Sequence, residues 1–247
     1  MLAVLWGTGA LAALPAQAQA VGAPMTNNPG YDRPGLGFTP AVLQAGDVIW
    51  EQGMPDWSRT DGVALYSVGT LLRLGLGHAL ELQAGSGWNR QTGAGTGVHG
   101  RADATVALKF APAAKGPFSW GLLGSIELTD GAPEFRAERR QYQLGASINW
   151  QRSPDTALGL YLQGAHGNGD SQLLAINDSW SLSPAVGAYV ELATQHAAGR
   201  GYGSMGGAGI AWQATPRVQF DVGLRHRLGG HADAWQGGVG VAVYFGN

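Results

Sequence analysis

Twelve ionisable side chains stand where an alternating pattern leaves room for polar residues: Asp47, Glu51, Arg73, Glu81, Arg101, Asp103, Lys109, Glu127, Glu191, Asp221, Arg225 and Arg227. Seven are carboxylates and five are cations. Two kinds of chemistry are open to such a set. A pair of carboxylates can do acid–base work, but no spacing here selects a pair. A near balance of signs can instead make an ion-pair network, which buried charges require because an unpaired charge in a low-dielectric space is costly. Other candidates are weaker. His99, His166, His196 and His231 lack the ligand spacing of a metal motif, so solvated loop histidines are expected and no metal or cofactor is assigned. Gly95, Gly97 and Gly100 satisfy G-x-G-x-x-G without the strand–turn–helix unit that a nucleotide loop needs. His166 and Ser171 are the nearest approach to a hydrolytic pair, and the chain is not expected to be an enzyme.

The elements that must position these charges are strands. In RVQFDVGLRHRLGG, residues 217 to 230, Val218, Phe220, Val222 and Leu224 share one side, opposite Gln219, Asp221, Arg225 and Arg227. The period is two. Tyr142, Leu144, Ala146, Ile148 and Trp150 oppose Gln141, Gln143, Gly145, Ser147, Asn149 and Gln151 in the same way. From residue 41 onward the chain reads as twelve such segments: 41–52, 62–75, 78–89, 98–111, 118–129, 139–151, 156–166, 172–183, 185–195, 203–213, 217–228 and 234–245. Asp178 falls on the apolar side of its segment unless a bulge shifts the phase. Even-numbered connections look tight and odd-numbered ones, such as 53–61 and 129–138, look longer. That is the layout of an up-and-down barrel with short turns at one end.

Composition narrows the class. Charged residues make up 13% of the 247, the net charge is −2, and there is no cysteine, so nucleic acid is a poor partner and disulfides are excluded. MLAVLWGTGALAALPAQAQA ends on Ala16, Ala18 and Ala20, the small residues of a signal-peptidase site, so residues 1–20 are expected to be a secretory signal. Residues 21–40 hold four prolines and four glycines without periodicity. They read as an irregular periplasmic leader that could enter the lumen. Residues 41–247 read as one barrel domain.

Three features turn the apolar face outward. A twelve-stranded barrel is too wide for its own side chains to fill. The polar face sets its charges among Gly, Ser and Gln rather than a solvent-side coat of Lys and Glu. Aromatics such as Trp50, Trp57, Trp88, Trp120, Trp150, Trp212 and Trp235 fall near segment ends, as interfacial girdles do. The expected fold is therefore all-β, a membrane-spanning antiparallel barrel of about 12 strands, with the twelve ionisable residues lining the lumen along the path of a solute. Glycines on that face leave room for an opening.

The segments AVLQAGDVIWEQG with Glu51, DATVALKF with Asp103 and Lys109, AVGAYVELAT with Glu191, and TPRVQFDVGLRHRLG resemble the outer-membrane barrel family of transporters assigned to the MetA pathway of phenol degradation. The resemblance covers about residues 41 to 245. It implies the outer membrane of a Gram-negative bacterium and passive passage of small, hydrophobic or aromatic molecules. Its partners would be outer-membrane lipid, a small-molecule solute and the barrel-assembly machinery. One departure is the ending, where Tyr244 and Phe245 are followed by Gly246 and Asn247 rather than closing the chain on an aromatic. A non-conducting structural or adhesive barrel and a lipid-modifying enzyme are the alternatives.

Overall fold

The computed structural model describes residues 27–246 apart from residue 94, so the expected signal sequence lies outside the described residues. Thirteen β elements follow in order: β1 Val48–Thr60, β2 Val63–Gly77, β3 Leu80–Gly93, β4 Thr96–Arg101, β5 Thr105–Phe110, β6 Phe118–Glu127, β7 Gln141–Ser153, β8 Thr156–His166, β9 Ser171–Ser183, β10 Val186–Ala197, β11 Gly201–Thr215, β12 Val218–Gly230 and β13 Trp235–Phe245. Each pairs antiparallel with its neighbours. β4 and β5 both lie against β3, with Trp88 opposite Arg101 and Gly85 opposite Thr105, so they are two halves of one strand interrupted at 102–104. The wall has twelve strands. Val48 opposite Phe245 joins β1 to β13 and closes the sheet, leaving no edge with unpaired backbone groups.

The alternation resolves as expected. Leu72, Leu74, Leu108, Leu122, Leu144, Ile148, Leu162, Ile176, Leu192, Ile210, Phe220, Val222 and Leu224 are exposed on the outside, while Glu51, Arg73, Glu81, Lys109, Glu191 and Asp221 are buried on the inside. Water would not tolerate so broad an apolar surface, and hydrocarbon requires it.

Two expectations need correction. The first strand is not 41–52 but Val48–Thr60, and 53–61 is no loop: it is more strand, closed by a two-residue turn at Asp61 (φ 49°) and Gly62 (φ 81°). Two positive φ values in succession fit the tight hairpin twist. Pro55 sits in this strand because the ladder breaks there, the register jumping from Gly53 to Asp56 against β13. A bulge is where a residue lacking an N–H costs least. The bulge also resets the phase, so that Trp57 turns outward over Gly237 and Asp56 turns inward. Second, the contrast in connection length is confined to a few places. One end has short turns at 78–79, 154–155, 184–185 and 216–217 beside 111–117, while the other has 61–62, 167–170, 198–200 and 231–234 beside the long loop 128–140. These are called the turn end and the loop end below.

Asp178 is on the outer face, opposite Leu158 and Val190, and the irregularity of β9 against β10 at Ser181–Ser183 does not move it from the apolar side. Its charge is met by an ion pair with Arg152 near the turn-end rim.

Candidate functional site: the lumen and its inserted segment

Residues 27–47 form no strand and lie largely inside the barrel. Tyr31, Asp32, Leu36, Phe38, Thr39 and Leu43 are all buried. The segment enters at the turn end, where the Tyr31 hydroxyl donates to the Arg217 carbonyl at 2.8 Å. It rises to Pro34–Phe38 and returns, with the Leu43 N–H donating to Glu81 at 3.1 Å and the Gly46 N–H to the Gly75 carbonyl at 3.0 Å. Its neck is pinned from within. The Thr39 N–H donates to Asp32 Oδ1 at 2.9 Å, and the Thr39 hydroxyl to the Tyr31 carbonyl at 2.8 Å. The physical reason for the insertion is width, since twelve strands enclose more space than inward side chains can fill.

Two charge clusters hold the segment. In the lower one, Arg73 Nε donates to Glu81 Oε1 at 2.8 Å, and Arg73 Nη1 reaches Glu51 Oε1 at 2.9 Å and Asp32 Oδ1 at 3.4 Å. Lys109 Nζ lies 2.9 Å from Asp32 Oδ2 and 3.3 Å from Glu81 Oε1. Gln83 donates to both Asp32, at 3.0 Å, and Glu81, at 2.8 Å. Lys109 also stands over the Phe38 ring, 5.4 Å from its centroid. Each carboxylate here meets a cation, the three sharing Arg73 and Lys109, and of their oxygens only Glu51 Oε2 is buried without a partner among the described residues; such pairing is the condition under which burial of ions is tolerated.

The upper cluster centres on Arg33. Its guanidinium forks onto Asp56, with both hydrogen bonds at 2.8 Å, and reaches Asp221 at 3.3 Å. Nearby, Arg225 Nε donates to Glu191 Oε1 at 2.6 Å and Arg225 Nη2 to the Pro34 carbonyl at 2.8 Å. The Leu36 N–H donates to the other Glu191 oxygen at 3.1 Å, so one carboxylate links wall and segment. Tyr189 donates to the Pro34 carbonyl at 3.2 Å. Above these, Phe38 packs edge-on against Tyr161 at 5.9 Å, in an apolar layer with Leu36, Met205 and Ala232.

The inner glycines serve this packing rather than an open bore at that height. A Cβ on Gly240 would lie 2.2 Å from Arg33 Nε, and one on Gly121 3.2 Å from the Phe38 ring.

Of the twelve ionisable residues singled out from sequence, Glu51, Arg73, Glu81, Lys109, Glu191, Asp221 and Arg225 take part in these two clusters. Asp47 accepts the Tyr244 hydroxyl at 2.6 Å at the turn-end rim. Asp103 caps the long loop, accepting the N–H groups of Gly131 at 2.5 Å and Ala137 at 2.6 Å. Glu127, opposite Thr105 and Gln141, faces inward near that loop, and Arg227 donates to the Ala232 carbonyl at 3.2 Å. Arg101 differs. It pairs with the exposed Trp88 and so lies on the outer face, ion-paired to Asp130 at 2.9 Å. The interruption at 102–104 shifts the phase between β4 and β5, which an unbroken alternation over 98–111 cannot register.

Sequence reasoning missed the residues of the segment itself, Asp32 and Arg33, and their partner Asp56. The available signal was adjacent opposite charges set between apolar Tyr31, Leu36 and Phe38, a composition too apolar for a free tail. His166 and Ser171 do not meet: Ser171 lies opposite the buried, inward Ala165, one position out of phase with the exposed His166, which pairs with Asp170 at 2.8 Å. Among the described residues no three acidic or histidine side chains group around a metal-sized space.

No protein-family model matches the chain, and no curated protein matches it in sequence. Solved structures do match in shape. The COG4313 outer membrane channel from Pseudomonas putida F1 is 13% identical, with a TM-score of 0.66 over 83% of this chain and 97% of that one. The KdgM porin is 12% identical, with a TM-score of 0.58 over 81% and 99%. The β domain of the Bordetella autotransporter BrkA is 12% identical, with a TM-score of 0.53 over 80% and 99%. At these identities the likeness is one of fold: a closed, twelve-stranded antiparallel barrel of the outer-membrane kind.

Proposed function

We propose that the chain is an outer-membrane channel of a Gram-negative bacterium that lets small molecules pass without an energy source, and that residues 31–43 set what passes. The observation that carries this reading is the pairing of an apolar outer wall with a lumen whose filling is a separate, non-strand segment held by side chains. A wall built only for mechanical closure has no need of a filling made by a separate segment instead of its own side chains. The likeness in fold to a COG4313 channel and a porin supports the reading. The resemblance of four strand segments to the MetA-pathway transporters points to hydrophobic or aromatic solutes as the class.

Single-channel recording in planar bilayers tests the reading. Wild-type protein is expected to conduct weakly, and a variant carrying Asp32→Asn and Arg33→Gln, which removes the segment's own charges from both clusters, is expected to conduct several-fold more. Silence from both overturns it. A non-conducting structural barrel is the second reading, favoured by the complete burial of Arg73, Glu81 and Lys109 around the segment. The same recordings separate the two.

A further inference from the structure

A cleft on the outer wall at the loop end has no part in passage through the lumen. Cross-strand register places Trp57, Tyr66 and Arg90 in one outward row over β1, β2 and β3, and Arg59, Ala64 and Thr92 in the next row toward the loops. Trp57, Arg59, Ala64, Tyr66 and Thr92, with the turn glycines Gly62 and Gly93, line an open cleft of about 540 Å³, and Arg90 stands outside that lining on the neighbouring strand. That size is within the range of small-ligand sites.

The height of the cleft follows from β2. Leu76 near the turn end and Tyr66 are both exposed on the outer face. They stand ten residues apart. At about 3.3 Å per residue and a tilt of about 40°, they span about 25 Å along the barrel axis, which is the height of the apolar band. Trp57 and Tyr66 therefore sit at its upper border, where amphipathic rings belong. Arg90 lies at that border, and Arg59 one row above it.

These two arginines differ from the other arginines of the outer face. Arg101 is paired with Asp130 and Arg152 with Asp178. Arg59 and Arg90 are exposed, and among the described residues no carboxylate comes within ion-pair distance of either. Residues 1–26 contain no Asp or Glu to supply one. A guanidinium beside hydrocarbon calls for an anion, and its planar fork matches two phosphate oxygens. The anions present at that depth of a membrane are lipid phosphates.

We propose that this cleft binds the phosphorylated headgroup of a lipid in the leaflet at the loop end, Arg59 holding the phosphate from within the cleft and Arg90 from beside it, next to Tyr66, while Trp57 and Tyr66 pack on the upper acyl chains. The proposal rests on the membrane placement of the barrel and not on conduction, so a silent lumen would leave it standing.

Native mass spectrometry of the full-length protein in detergent tests it, using as probes a diphosphorylated multi-acyl glucosamine lipid and its dephosphorylated counterpart. One phosphorylated lipid per barrel is expected to be retained about tenfold more tightly than the dephosphorylated form. The Arg59→Ala, Arg90→Ala variant is expected to lose that preference, and Arg152→Ala to keep it. Unheated electrophoretic mobility reports whether each variant is a folded barrel. Should the double variant fail that check, Arg59→Gln and Arg90→Gln singly are each expected to weaken retention several-fold. Equal retention of both lipids, or an undiminished preference in folded variants, overturns the proposal. So does full displacement by inorganic phosphate at millimolar concentration, which would make the site one for a free anion.

Discussion

The inner wall is two different surfaces stacked one above the other. In its turn-end half the inward side chains are dry: Arg73, Glu81, Lys109 and Gln219 have no exposed area at all. In its loop-end half, Ser58, Ser67, Asn89, Gln91, Gln143 and Gln195 face inward and keep partial exposure. Both halves are polar, so polarity does not separate them. The difference is the inserted segment, which reaches up only to Pro34–Phe38. Where it lies, charges are formal and paired. Above it, the lining is mostly neutral amides and hydroxyls such as Ser67 and Asn89, joined by a 2.8 Å hydrogen bond, with Asp103, Glu127 and Arg227 near the loops. The paired charges are concentrated where another chain segment completes their coordination.

That division sets the expected costs. Arg73→Met is expected to destabilise the barrel by about 3–5 kcal/mol, because it strands Glu51 as an uncompensated buried carboxylate and leaves Asp32 and Glu81 to share Lys109 alone. Ser67→Ala, the corresponding loss in the upper half, is expected to cost about 1 kcal/mol or less, since water replaces the partner. Urea unfolding in lipid vesicles measures both, and equal effects would mean that the two halves are equally wet. The outer wall provides a reference at intermediate size. Val222→Arg puts a charge on the exposed outer face next to the inward Asp221, and is expected to cost about 2–4 kcal/mol at mid-membrane in the same assay.

The division also explains what could be read from residue order alone. Alternation along residues 218–227 gives the facing of Val222 and Asp221 directly, because a strand in a two-sided environment writes its surroundings into every second residue. It gave the twelve strands for the same reason. It could not place Pro55 within the first strand, since a bulge removes the periodicity that would reveal it. Arg101 was assigned to the wrong face by the same kind of break at 102–104. The counter-charges Asp32 and Arg33 were invisible for a different reason. Their segment has no period, and its position depends on the empty width of a barrel that forms from residues far away in sequence. The ionised half of the lining was therefore legible as a list of wall residues, but not as a site.

A smaller contrast uses one substitution at two heights. Gly240→Val meets Arg33 at once, and is expected to cost about 1–3 kcal/mol and to raise conductance as the segment is pushed aside. Gly69→Val, on β2 with nothing within 4 Å of its added Cβ, is expected to leave both unchanged. If the pair behaved alike, the glycines would be adjusting the wall and not making room for Arg33.

The smallest effect is expected at the loop-end rim, where polar contacts are exposed to water. Asp130, in the loop 128–140, accepts the Ala104 N–H at 2.9 Å and the Arg101 guanidinium at 2.9 Å, and these hold its carboxyl below the usual carboxylate range. Its folded-state pKa is thus depressed relative to the unfolded chain. The contribution to loop order is complete above the unfolded value of about 3.9 and disappears as pH falls through the lower folded value. The protection factor of the Ala104 amide, its exchange rate referred to the intrinsic rate at each pH, should therefore be steady from neutrality down to about pH 4 and fall below it, while the buried amides of Asp32 and Leu36 stay protected over the same range. Asp130→Asn should show the lower protection already above about pH 4, by a modest factor because the pair is solvent-screened. Acceleration of Leu36 together with Ala104 would show that the rim and the filled half open as one unit.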